Sequence, residues 1–84
     1  MLRARMAFSP AQCRAARNLL NWTQEDLARH SKLTEKTIAD FERGATKPHA
    51  RTLTQIGQAF EAARIEFLNG DAPGVRLRNP TRVA

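Results

Sequence analysis

Apolar residues recur along this chain at helical spacing in four stretches and then at strand spacing in two. Cys13, Ala16 and Leu20 fall at i, i+3 and i+7, with Leu19 beside them. Leu27 with Ala28, and then Ile38 with Phe41, mark two shorter helices. Leu53, Ile56 and Phe60 line one face of a fourth. After Ala63 the period shortens to two. Ile65-Glu66-Phe67-Leu68 and Val75-Arg76-Leu77-Arg78 alternate like half-buried strands around Asn69-Gly70-Asp71-Ala72-Pro73-Gly74, which predicts a hairpin. A lone two-stranded ribbon is marginal in water, so it must pack on the helices or pair with a second chain.

Capping chemistry sets the helix boundaries. Ser9, Pro10 and Gln12 supply an N-cap, a proline at the first helical position and a side chain that reaches back, with Phe8 and Cys13 as a hydrophobic staple. Thr23 and Asp26 make a capping box for the second helix. Thr34 caps the third, flanked by Leu33 and Ile38, and Gly44 offers a left-handed stop. The predicted helices are 9–21, 23–31, 34–43 and 50–63, within a helical unit spanning 9–63. Around that unit lie an N-terminal arm (1–8), the hairpin (64–78), expected to contribute to dimerisation, and a tail (79–84). Gly57 weakens the fourth helix by roughly 1 kcal/mol relative to alanine unless another backbone approaches it closely.

Between Trp22 and Gly44 two short helices are thus joined by His30–Leu33, a connection too short for a strand or a lid. That is a helix-turn-helix, whose second helix has the shape to enter a DNA major groove.

Eighty-four residues make one domain and leave no room beside the helical unit for a separate sensor or catalytic domain. Fourteen Lys and Arg against eight Asp and Glu give a net charge of +6, which favours nucleic acid, an anionic membrane surface or an acidic partner. Residues 1–22 hold Arg3, Arg5, Arg14 and Arg17 and no acid. Residues 23–63 are balanced, and the rest of the excess lies in the arginines of 64–84. Beside a helix-turn-helix, that distribution supports DNA binding.

Cys13 is the single cysteine, which excludes an internal disulfide and points to a reducing compartment. No signal-peptide core is present and no run approaches about 18 apolar residues, so a soluble, cytoplasmic protein is expected, with no membrane partner. Cys13, His30 and His49 are too scattered for a zinc site, and the glycines at 44, 57, 70 and 74 form no phosphate loop. Neither a cofactor nor an enzymatic activity is expected. Cys13 reads as a buried small hydrophobe and Trp22 as a core anchor.

Arg17, TQEDLA at Thr23–Ala28, TEKTI at Thr34–Ile38, and FERG at Phe41–Gly44 followed by Pro48 occur in an order and spacing that resemble the Cro/phage-repressor (Xre-like) family. The resemblance covers roughly residues 9–63. It implies a mainly α, lambda-repressor-like helix-turn-helix bundle of four to five helices, here with a short C-terminal β-hairpin. Leu27, Ala28, Leu33, Ile38 and Phe41 should be core, with Ala28 small because two helices cross there. The family pattern also pairs Arg17 with Glu42 between the first and third helices. Gln24 stands where the family sets a glutamine and helix-end amides against a phosphate, a position the helix dipole favours.

Thr34, Glu35, Lys36, Thr37 and Asp40 then form the base-reading face. Lys36 suits guanine O6/N7, Glu35 or Asp40 suits cytosine N4, and Thr37 suits a thymine methyl. Arg43, Lys47, His49 and Arg51 suit phosphates, His49 near the minor groove, and Arg3 and Arg5 an arm around the duplex. Three departures stand out. Lys32 occupies a turn position usually held by glycine, Arg64 replaces a glycine before the terminal strand, and two acids lie on the reading helix.

The implied function is a sequence-specific double-stranded DNA-binding regulator, a repressor acting as a homodimer on an inverted-repeat operator. Two other readings are an antitoxin that holds a toxin partner, and a protein-interaction adaptor that has lost DNA binding. An RNA role is less supported, since no aromatic platform for single-stranded bases is visible.

Overall fold

The computed structural model describes residues 8–45, 47–69 and 73–78. The expected arm with Arg3 and Arg5, residues 70–72 of the hairpin loop and the tail 79–84 lie outside them. Four helices and a hairpin follow in order: α1 (Pro10–Leu20), α2 (Gln24–Ser31), α3 (Glu35–Arg43), α4 (Ala50–Ala62), β1 (Ile65–Leu68) and β2 (Gly74–Leu77). The bundle with its C-terminal hairpin is the fold class the sequence implies.

Each of the first three helices begins where its cap chemistry dictates. Ser9 Oγ accepts the Gln12 amide at 3.1 Å while Gln12 Oε1 accepts the Ser9 amide at 2.9 Å. Thr23 and Asp26 repeat that reciprocal arrangement. Thr34 Oγ1 accepts the Thr37 amide at 3.1 Å. All three then end on a left-handed residue: Asn21 (φ 58°), Lys32 (φ 64°) and Gly44 (φ 72°). Lys32 thus takes the left-handed conformation expected from its position, without a glycine's freedom.

The core gathers Cys13 and Ala16 of α1, Leu27 and Ala28 of α2, Ile38 and Phe41 of α3, Ile56, Ala59 and Phe60 of α4, and Ile65 of β1. Leu33 and Trp22 pack against it while remaining partly exposed. Trp22 stacks on His30 at 4.2 Å and on Phe60 at 5.9 Å. Leu19 departs from expectation. It is 44% exposed, because it projects roughly 100° round the helix from the middle of the Cys13–Ala16–Leu20 stripe.

The two strands pair antiparallel, with Ile65 opposite Leu77 and Phe67 opposite Val75. Opposed residues share a face, so these four form the apolar side. Phe67 stacks on Phe8 at 4.6 Å and meets Phe60 edge-on at 5.8 Å. Gln12 Nε2 donates to the carbonyls of Leu68 and Gly74 at 3.2 and 2.9 Å, tying α1 to the loop end of the ribbon. The chain's own helices therefore cover part of this apolar side, while Leu77 remains exposed. Glu66 and Arg76 pair at 2.7 Å on the outer side. Gly57 is buried in α4, and it lines a cleft of about 280 Å³ with Ile65 and Phe67 of β1.

Candidate nucleic-acid interface

The turn after α2 is built from backbone bonds. The Leu33 amide donates to the Ala28 carbonyl at 3.0 Å, and Ser31, itself buried, returns its hydroxyl to the Leu27 carbonyl at 2.7 Å. Such a closed turn sets α3 against α2, with Ile38 and Phe41 inward. Thr34, Glu35 and Lys36 at the start of α3 are exposed, and Thr37 is partly so. The hydroxyls of Thr34 and Thr37 lie 2.9 Å apart.

Further along the same face, Asp40 is engaged by two cations. Lys36 Nζ donates to Oδ2 at 3.1 Å, and Arg43 donates to Oδ1. These hydrogen bonds from Lys36 and then Arg43 hold the Asp40 carboxyl below the usual aspartate range.

One residue pair organises the inner side of the site. Glu42 is only 4% exposed, and Arg17 grips it with Nε at 2.7 Å from Oε2 and a terminal nitrogen at 2.8 Å from Oε1. Gln24 Nε2 donates to Oε1 at 3.1 Å and Cys13 Sγ donates to Oε2 at 3.2 Å. Burial pushes the Glu42 carboxyl up, but the hydrogen bonds from Arg17, Gln24 and Cys13 outweigh it, and the net shift is downward. The bond to Glu42 raises Arg17 in turn. Burial, with the neighbouring Glu42 charge second, pushes the Cys13 thiol far above its usual range, so Cys13 stays protonated and inert at neutral pH.

Gln24, expected to face a phosphate, thus has one amide hydrogen committed to Glu42 and its second left over. Asn, Gln and similar amides carry two such donors on one nitrogen, so the two roles are compatible.

Two groups of cations lie at opposite ends of α2. At its start, Arg14, Arg17, Gln24, Ala39, Glu42 and Arg43 line a shallow notch. Beyond its end, Lys32, His49 and Arg51 line an open cleft with Leu33, Thr52 and Gln55, at the N-terminus of α4. His49 is the N-cap there and makes no side-chain cap bond. Lys47 is exposed in the loop before it but lines neither depression.

Two cations of these depressions, Arg14 and Lys32, are not among the contact residues the sequence marks. Arg14 donates to the Glu42 carbonyl at 2.6 Å and stands one turn before Arg17 on α1, a spacing that was available as a signal. The sequence marks Lys32 only as a turn residue in a left-handed position. Its place beside His49 and Arg51 depends on how α2 and α4 pack, which spacing does not reveal.

Among the described residues no helix is long and apolar enough to cross a membrane, and no group of three or more His, Cys, Asp and Glu comes together to hold a metal. A family model described as helix-turn-helix matches residues 14–67, well over half of the chain. No curated protein matches it.

Proposed function

The chain belongs to the Cro/C1-type helix-turn-helix family of DNA-binding regulators, and from that premise we propose that it is a repressor binding an inverted-repeat operator as a symmetric dimer. The observation that carries this reading is the arrangement around α2. An exposed helix start, Thr34 to Thr37, follows the turn, and cationic depressions lie at the two ends of α2. A duplex offers the matching pattern, with base edges in the groove and a phosphate backbone on either side.

In this reading Lys36 donates to guanine O6/N7, Glu35 accepts from cytosine N4, and Thr37 packs on a thymine methyl beside Thr34. Gln24 and Arg43, with Arg14, hold one backbone, while His49, Arg51 and Lys32 hold the other with Lys47 nearby. Arg17 and Glu42 take no direct part and keep Gln24 aimed. A single recognition helix covers few base pairs. Two-fold pairing places two of them in successive major grooves, about 34 Å apart. Leu77, 43% exposed on the hairpin, is our choice for the dimer contact, and Leu77→Asp should shift sedimentation toward monomer. Blocking of polymerase follows from occupancy of an operator alone.

Selection from random duplex DNA, with the enriched pool re-measured at two salt concentrations, tests the proposal. Enrichment of an inverted repeat with half-sites about one helical turn apart supports it. Unselective binding that vanishes with salt is counterion release alone and would favour the adaptor reading.

A further inference from the structure

The reading helix carries its own counter-charge. Lys36, Asp40 and Arg43 lie at i, i+4 and i+7 on α3, with Asp40 between the two cations. The cations are largely exposed, with 83% of the Lys36 side chain and 62% of that of Arg43 open to solvent, against 20% for Asp40. The Asp40 backbone is part of the helix stop, where its carbonyl accepts the Ala45 amide at 3.0 Å. Glu35 differs. It is exposed in the first turn, and among the described residues no hydrogen bond or ion pair engages its side chain.

We propose that Asp40 is a specificity-determining residue, which withholds Lys36 and Arg43 from DNA of the wrong sequence. The inference rests on the DNA-binding reading above and assigns it a mechanism of discrimination. On an arbitrary duplex the cations can gain only phosphates. To reach them they must leave Asp40, whose carboxylate then faces a polyanion with only water to accept from. On the operator Lys36 swings to a guanine, and a neighbouring base amino group can satisfy the vacated oxygen, so the cost is offset there alone. Selectivity of this kind comes from a penalty on the wrong partner as much as from contacts with the right one.

The replacement Asp40→Asn keeps the shape and removes the charge. On random-sequence duplex at about 0.1 M salt, D40N should bind about fivefold tighter, and its log-affinity against log-salt slope should steepen by about one. Operator affinity should change less, so the operator-to-random ratio falls. In the Lys36→Gln background the effect of D40N should shrink by about half, since one of the two released cations is already gone.

Unchanged or weaker random-duplex binding by D40N, where wild-type protein binds measurably, overturns this inference and leaves the DNA-binding reading standing. Wild-type protein that binds no duplex at any salt overturns both. A D40N effect of equal size with and without Lys36 also overturns it, because Asp40 would then be acting only as a bulk charge.

Discussion

Two carboxylates stand two residues apart on α3 and share almost nothing else. Glu42 points inward, where Arg17, Gln24 and Cys13 all donate to it and Trp22 and Arg14 are tied in through backbone carbonyls. Asp40 lies on the outer face with two cations whose side chains are mostly in water. Both groups are held below their ordinary pKa, so titration alone would not separate them. Burial does. Water cannot replace a partner of Glu42, which makes that pair part of the fold. Around Asp40 water can take the place of both cations, and the cations can turn to phosphates, which leaves that cluster free to exchange.

The comparison breaks most visibly at Glu42. Glu42→Ala removes the acceptor and strands the Arg17 guanidinium, only 14% exposed, at the junction of α1, α2 and α3. A loss of about 3–5 kcal/mol is expected, measured by urea denaturation, and Arg17→Ala should match it from the other side. An effect below about 1 kcal/mol would mean the pair is no more structural than Asp40's.

The same centre predicts a pH window. Because the folded Glu42 pKa is depressed, its contribution is present above the unfolded glutamate value, about 4.3, and is lost as pH falls through the folded value. Cys13 has the opposite sign. Its folded pKa is raised, so its contribution is present below the unfolded thiol value, about 8.5, and is lost as pH rises above it. Thermal midpoints should therefore form a plateau between these limits. Glu42→Gln should flatten the acid limb, and Cys13→Ala the alkaline one.

Local chemistry was legible in the sequence, and long-range chemistry mostly was not. Ser9, Thr23 and Thr34 marked three helix starts correctly, because a cap and its partner lie within three residues. Gln12 shows the limit. It was read as a cap partner, yet it also bridges to Leu68 and Gly74 far along the chain. Likewise the Arg17–Glu42 pairing was suggested only by resemblance to a family, and nothing in composition or spacing points to Cys13 and Gln24 completing it. Lys32 and Arg64 were flagged in the same way. The left-handed Asn21 was missed, although asparagine tolerates that conformation better than most residues.

Lys32 offers a test of intermediate size. A non-glycine residue at φ 64° costs roughly 1–2 kcal/mol in the left-handed region, while glycine loses about 0.5–1 kcal/mol through its freer unfolded chain. Lys32→Gly should thus stabilise the fold by about 0.5–1 kcal/mol. If Lys32 also helps His49 and Arg51 hold phosphate, the same variant should bind DNA more weakly with a salt slope shallower by about one. Stability and affinity would move in opposite directions at one residue.

The smallest expected change sharpens the contrast best. Asp40→Asn and Glu42→Gln make the same chemical replacement, an amide for a carboxylate, two residues apart on one helix. At Glu42 the new amide must place its own donors against Arg17, and the urea midpoint should fall. At Asp40 the two released cations are simply solvated, and the midpoint should stay within measurement error of wild type. What D40N alters is what the surface meets next, since Lys36 and Arg43 are then available to any polyanion. A midpoint that fell as far for D40N as for E42Q would show that the outer cluster braces α3, and its two cations would then be poor candidates for exchange with DNA.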